Sequence, residues 1–344
     1  MSLHQDFFKR ETNIKAKVIC DSINEQGVRI TTLEVEYPRF IHSEFMTHRE
    51  LSKNSSSSRA VPIDKMLDNT RNNMAVPLYW GKSKSGMQAD GEVSKFDEVK
   101  GVLNWEKSFN YIEQRILDMK DLGLHKQIPN RLSEPFQMMK VVVTATNWDN
   151  FFNLRIHKDS QPEICMLAYK MYQAMQKSVP FELRDGEYHL PYINRYRILS
   201  GRGIGKLEYS SENTVLDLET TIKISASSCA QVSYRNTDMS LEKADKIFDM
   251  LVKADVLHAS CFEHLATPIK DNYLDWYDLN NPEAGYVEKN LPHHMDSWDE
   301  GITHVNRKGK LCSGNLRGWI SYRHLLPNNT CWEYDHEERM KMFK

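Results

Sequence analysis

Residues 28–36, VRITTLEVE, alternate apolar and polar side chains and are rich in β-branched types. That pattern fits a pleated strand with at least one buried face and predicts one here, ended by Pro38. The long periodic segments that follow are helical. Residues 97–121 carry Val99, Val102, Leu103, Phe109, Ile112, Ile116 and Met119 on one face, with Gly123 as a natural stop. A second helix is expected from Ser160, where Ser160 and Glu163 have capping-box spacing and Pro162 lies in the first turn. Its core positions are Ile164, Leu167, Ala168, Met171 and Met175, and Pro180 ends it. A third, over about 240–255, carries Leu241, Ala244, Ile247, Phe248 and Leu251. Residues 214–224, TVLDLETTIKI, read as β-like. Strands and helices do not alternate as a nucleotide-binding parallel sheet requires, so the class is α+β.

The chain has 344 residues, 40% hydrophobic, enough for a sizeable core. Its net charge of −2 offers no global attraction to nucleic acid or anionic membrane. No apolar run approaches membrane-spanning length, and the start, MSLHQDFFKRETNIKAK, has no apolar signal core. A cytoplasmic protein with no membrane and no nucleic-acid partner is expected. The six cysteines form no CxxC and read as reduced, mostly buried thiols. The adjacent His293 and His294 lack a partner at helical spacing and read as a polar loop, so no metal is expected. The glycine-rich turn at 200–206 is not a phosphate loop, because Leu207 stands where Ser or Thr is needed. Arg195 and Arg197 before it are candidates to line a substrate channel.

Three segments carry chemistry. Residues 48–59 place His48 and Arg49 before a hydroxyl-rich loop closed by Arg59, an anion-binding composition. A solvated Ser-rich surface loop has the same composition. Residues 150–155, NFFNLR, set Arg155 after two aromatics, where its guanidinium can be held rigidly. Residues 125–132 form a basic connection containing Arg131.

Taken together and in order, these segments resemble the flavin-dependent thymidylate synthase family. Its signature, RHRxxSxNxxSxR, is matched by His48, Arg49, Ser52, Asn54, Ser57 and Arg59, with Thr47 replacing the leading Arg. The NFLNLR stretch and the helix opening AQxEI resemble residues 150–155 and 160–164. Arg131 and Pro135 match a third motif. Two further motifs, ARVS and HxSPFEH, normally precede the signature. Here Ser233 ends CAQVS, and HASCFEH spans 258–264 with Cys261 in place of Pro, so the motif order is circularly permuted.

The resemblance implies a curved, mostly antiparallel sheet flanked by helices, in one domain over 1–344. Its core segments would be 28–60, 97–180 and 221–268, with an insertion at 63–95 and a C-terminal extension at 269–344. It implies transfer of a one-carbon unit from 5,10-methylenetetrahydrofolate to C5 of dUMP, with FAD as cofactor, NADPH as reductant and a homotetramer with shared active sites. Arg155 and Ser57 would be catalytic. Glu44, Ser55, Ser57, Ser58, Arg59, Arg131 and Arg155 would bind the nucleotide. Thr47, His48, Arg49, Asn150, Ser233, Ser260 and Glu263 would hold FAD. Glu44 stands where Gln is common, Ser55 where Glu is common, and Thr144, Ala145 and Thr146 replace Asn-Ala-Arg. A carboxylate near the base suits the 4-amino group of cytosine, so dCMP and a hydroxymethyl product stay open, as does a non-catalytic nucleotide or nucleic-acid binder. Trp319 reads as a core residue or as a cover for flavin or folate.

Overall fold

The computed structural model describes residues 5–198, 205–233, 238–254, 257–270, 298–308 and 310–343. His293, His294 and residues 200–204 of the glycine-rich turn lie outside them. At the centre is a five-stranded sheet of β1 (Lys15–Asn24), β2 (Arg29–Pro38), β3 (Ser52–Ser55), β4 (Met138–Ala145) and β5 (Phe181–Leu183), in the order β3-β4-β2-β1-β5. Every pairing is antiparallel except β1 with β5.

The alternating segment is the middle strand, β2. Its odd positions Leu33, Val35 and Tyr37 join Val141 and Val143 of β4 in one core. Ile30 and Val142 join a second core on the opposite face. Both faces are covered, so Thr31 and Thr32 are buried as well.

The α-helices of the described residues are α1 (His42–Met46), α2 (Ile63–Asn72), α3 (Lys95–Asp121), α4 (Pro129–Leu132), α5 (Asp149–Arg155), α6 (Pro162–Gln176), α7 (Leu218–Ala230), α8 (Leu241–Val252) and α9 (His336–Met340). α6 lays Ile164, Leu167, Ala168 and Met171 on the first core, at the spacing its sequence predicts. The expected capping box does not form. Ser160 Oγ donates to the Leu154 carbonyl (2.9 Å), and Glu163 Oε1 accepts from the Leu78 amide (2.7 Å). The carboxylate anchors the 73–95 segment rather than its own helix end, and Gln161 is the N-cap.

α3 begins at the Ser94 cap and stops before Gly123, whose φ of +75° few other residues tolerate. Only part of its apolar face is used. Phe109 and Ile116 are buried against Phe136 and α2, whereas Val99 and Leu103 stay 49% and 48% exposed. The 63–95 segment therefore contributes core: Ile63, Met66 and Leu67 of α2 are buried.

The β-like 214–224 stretch splits in two. β8 (Thr214–Leu216) completes a small sheet with β6 (Asn194–Arg197) and β7 (Leu207–Ser211), and α7 starts straight after it. Asp217 is the reason: its side chain accepts from the Thr220 amide (2.9 Å) and hydroxyl (2.7 Å), a strong N-cap that overrides the β-branched run. Arg195 and Arg197 are committed to structure. Arg195 reaches Cys20 and the Asp21 carbonyl, and Arg197 pairs with Glu187 (2.7 Å).

The C-terminal residues fold onto this body. β9 (Ala266–Pro268) pairs with β13 (Trp319–Ser321), beside a small sheet of β10 (His304–Val305), β11 (Leu311–Ser313) and β12 (Leu316–Arg317). Trp319 is a core residue. It is fully buried, with its indole N–H donating to the Val28 carbonyl at 3.0 Å. All six cysteines are free thiols, five buried and Cys331 exposed. Among the described residues no helix is long and apolar enough to cross a membrane.

Candidate active site

Arg155 ends α5, and its guanidinium is fixed by two neighbours from α1 and the turn after it. Nε donates to His48 Nε2 at 2.7 Å, and Nη1 pairs with Glu44 Oε1. Accepting at Nε2 requires a lone pair there, which places the imidazole proton on Nδ1. Burial, then the charges of Arg155 and Lys53, push the His48 ring down to about 4, so it is neutral at ordinary pH. Its ring meets Phe151 edge-on, with centroids 4.9 Å apart. The Arg155 side chain retains 20% of its exposure, enough to present a guanidinium edge. Of the two aromatics of the NFFNLR segment, Phe151 is buried and packs on the cluster through His48, whereas Phe152 turns to Trp148 and Tyr172.

The Ser-rich stretch is an edge strand and the turn after it. Ser52–Ser55 pair with β4, and the Ser56 amide donates to the Lys140 carbonyl (2.9 Å). Ser56, Ser57 and Ser58 line a cavity of about 240 Å³ with Arg39, Lys140 and Glu36. Ser58 Oγ donates to Glu134 (3.1 Å), which also pairs with Arg39 (2.9 Å). Arg59 and Arg131 do not line this cavity; both are exposed. The residue that grips the loop is Asn130, next to Arg131. Its buried amide donates to the carbonyls of Ser58 (2.8 Å) and Val61 (2.9 Å). Arg39 and Lys140 carry no signal in the sequence, because Arg39 follows directly on β2 and Lys140 is the third residue of β4, where only pairing reveals what each faces.

The displaced motifs come to the signature. Asn54 Nδ2 donates to the Cys229 carbonyl (2.7 Å), and Ser260 Oγ donates to Asn54 Oδ1 (3.4 Å). Glu263 lies in the short helix Ser260–His264, at a cleft of about 490 Å³. That cleft is lined by Arg49, Ser52 and Lys53 on one side and by Gly314, Asn315, Ser321 and Arg323 on the other. Glu263 pairs with Arg323. Lys53 Nζ donates to the carbonyls of Leu51 (2.9 Å) and His48 and lies 5.5 Å over the Phe45 ring. Burial lowers its pKa to about 8, against a raising influence of Glu263.

The remaining candidates sit apart. Thr47 caps α1, its hydroxyl donating to the Glu44 carbonyl at 2.7 Å. Asn150 is exposed in the first turn of α5. Ser233 ends the short helix Gln231–Ser233, with its side chain outside the described residues. Ser55 is half-buried in β3. Within one chain, then, the candidates that gather do so in three places, the Arg155 cluster, the Ser56–Ser58 cavity and the Arg49–Glu263 cleft, while Arg59, Arg131, Asn150 and Ser55 line none of them. Among the described residues no three His, Cys, Asp or Glu converge as metal ligands.

Residues 28–181 match the family model described as thymidylate synthase complementing protein, and the chain resembles that family. Among solved structures, the UMP/dUMP methylase PolB from Streptomyces cacaoi bound with 5-Br UMP is similar at 18% identity and a TM-score of 0.43. The match covers 48% of this chain and 90% of that one. The same methylase bound with 5-Br dUMP matches at 17% identity and a TM-score of 0.40, covering 48% and 91%. No curated protein matches the chain significantly.

Proposed function

We propose, from the premise that residues 28–181 match the thymidylate synthase complementing family, that the chain transfers a one-carbon unit to C5 of a pyrimidine deoxynucleoside monophosphate. The substrate on this reading is dUMP, the carbon donor 5,10-methylenetetrahydrofolate, the cofactor FAD and the reductant NADPH. The observation that carries it is the Arg155 guanidinium held by Glu44 and His48. C5 becomes nucleophilic as negative charge develops across the pyrimidine ring. A fixed cation at the base edge stabilises that charge without reorganising during the reaction. His48, neutral and accepting, orients Arg155 without adding a second charge.

The five buried thiols support the same route. Conventional thymidylate synthesis needs a cysteine thiolate to attack C6. Burial raises the pKa of Cys20, Cys165, Cys229, Cys261 and Cys312, to about 11 for Cys165 and about 12 for Cys261, which keeps them protonated. A bound flavin supplies the hydride that a thiol-free route needs. The Arg49–Glu263 cleft fits such a cofactor, being cationic and holding buried polar atoms, Ser321 Oγ and Arg323 Nε, that have no hydrogen-bond partner.

A second reading, dCMP as substrate, is favoured by Glu44, because a carboxylate beside Arg155 can accept from a cytosine 4-amino group. One experiment addresses both. Each nucleotide is incubated with the protein, FAD, NADPH and methylenetetrahydrofolate and its mass is read. A one-carbon gain on dUMP supports the first reading and a gain on dCMP the second. A hydroxymethyl mass identifies water as the terminating nucleophile. No gain on either nucleotide overturns the catalytic reading. The three separate places in one chain also fit a homotetramer that unites them, and light scattering should give the mass of four chains; a monomer would refute shared sites.

A further inference from the structure

The cleft between residues 49–53 and residues 314–324 draws five of its eleven lining residues from the C-terminal segment, for which neither the family match nor the motifs give a role. Three cations line it: Arg49 and Lys53 from the signature, and Arg323 from the C-terminal side. A single carboxylate, Glu263, opposes them. The formal balance is two positive charges, placed on two chain segments rather than at one point.

The C-terminal wall is built into the protein. Asn315 Nδ2 donates to the Glu50 carbonyl (2.8 Å), and its Oδ1 accepts from Ser52 Oγ (3.1 Å), so one side chain ties the segment to the signature. Ser321 and Arg323 stand on and just after β13, whose pairing with β9 also positions Glu263. Gly314 has a φ of +56°, and a Cβ there would lie 2.9 Å from His324 Nε2, so glycine lets the His324 ring pack closely against this wall. Ser321 is only 3% exposed, yet its hydroxyl has no partner, and neither has Arg323 Nε. Orphaned polar atoms at a cationic cleft mark a place where an anionic ligand would complete the hydrogen bonding.

We propose that the C-terminal segment is part of the binding site, with Arg323 and Lys53 together holding the diphosphate of an adenine dinucleotide across this cleft. A dinucleotide diphosphate carries two negative charges spread over two linked phosphates, which matches two net positive charges on two walls. The volume of about 490 Å³ suits a nucleotide rather than a lone anion. The inference rests on the proposed flavin-dependent function only for the identity of the dinucleotide; FAD and NADPH share the chemistry.

The test is equilibrium binding to purified full-length protein freed of nucleotide. FAD, FMN, NADPH, ADP and dUMP are titrated against the wild type, Arg323→Ala, Arg323→Lys and Lys53→Met, with thermal unfolding as the check on folding. The wild type should take up ADP and one of the two dinucleotides, and which one identifies the source. Arg323→Ala should weaken diphosphate ligands at least tenfold, with dUMP unchanged, and Arg323→Lys should restore part of the loss. Lys53→Met should act in the same direction. Wild-type uptake of FAD with unchanged affinity in a folded Arg323→Ala overturns this inference and leaves the proposed function standing. Arg323-dependent uptake of ADP and NADPH without FAD uptake upholds the cleft and overturns the flavin reading. Failure to bind any diphosphate ligand overturns the inference outright.

Discussion

Arg155 and Lys53 illustrate how differently two cations can be set by their surroundings. Arg155 is paired, and its value lies in being fixed. Replacing it with alanine removes the charge and leaves Glu44 without its partner. We expect Arg155→Ala to lower kcat by about 10²–10³, the usual cost of losing one charge-stabilising donor, with flavin uptake retained. Steady-state kinetics beside a flavin titration checks this, and unchanged kcat would remove Arg155 from the chemistry. Lys53 is held by carbonyls with its aliphatic stem in the fold, facing Glu263 across the cleft beside Arg49 and Arg323. Its pKa is lowered to about 8, so it loses its proton as pH rises past that value, where an exposed lysine would remain charged. Affinity for a diphosphate ligand should therefore fall between about pH 7 and 9, and the Lys53→Met variant should show a flatter profile over that range. Equal slopes in the two proteins would exclude Lys53 as the titrating group. Arg155 stood out in the sequence through the NFFNLR resemblance rather than by itself, since an Arg after two aromatics reads alone as a helix end. Lys53 did not, since nothing in a Ser-rich run says which side chain turns inward.

Helices and strands with strong internal periodicity were legible, and the misreadings come from a local cap in one place and from tertiary contacts in the others. α6 matches its predicted core positions because five residues repeat at the helical period and nothing competes. The 214–224 stretch reads as β by side-chain type, but a single capping aspartate starts a helix four residues in. The Ser160 and Glu163 pair looked like a cap until tertiary structure claimed Glu163 for the Leu78 amide. Local signals lose where a distant backbone group needs a partner, and sequence spacing carries no record of that. The C-terminal segment is the largest case. Its polar composition hid a strand that seals the second core through Trp319. Trp319→Ala should cost about 3–5 kcal/mol, and Trp319→Phe less, since the phenyl ring keeps most of the packing and loses only the bond to Val28. Chemical denaturation measures both, and a loss below about 1 kcal/mol for the alanine variant would mean the segment is not integral to the fold.

At the scale of the whole molecule, a polar seam runs across the face of the central sheet that Ile30 and Val142 share with the second core. Ser22 Oγ meets His189 Nδ1 at 2.7 Å, His189 Nε2 meets Thr32 Oγ1 at 2.8 Å, Thr32 meets Thr144 at 2.7 Å, and Thr144 meets His264 Nδ1 at 2.8 Å. All five residues are buried, and His264 Nε2 has no partner. Burial keeps both rings neutral: it lowers His264 to about 3 and His189 well below its usual value, with Arg195 and His264 adding to the effect at His189. In the unfolded chain each ring takes up a proton near pH 6.5. Between that pH and the folded value the unfolded state binds more protons, so the stability is fully present above pH 6.5 and is lost as pH falls. Each such histidine contributes up to about 1.4 kcal/mol per pH unit within its window. Thermal unfolding followed from pH 7.5 to 4.5 should show a falling midpoint, and His264→Gln, which cannot titrate, should flatten that fall by one proton's worth while lowering stability at pH 7.5. A variant with the wild-type pH slope would place the acid sensitivity elsewhere. The seam joins β1, β2 and β4 to the residue that closes the Ser260–His264 helix, and that helix carries Glu263 into the candidate cofactor cleft. Acid loss of the seam should therefore release a bound dinucleotide before the sheet unfolds, which is seen if flavin fluorescence rises at a lower temperature than the main transition at pH 5 and together with it at pH 7.5.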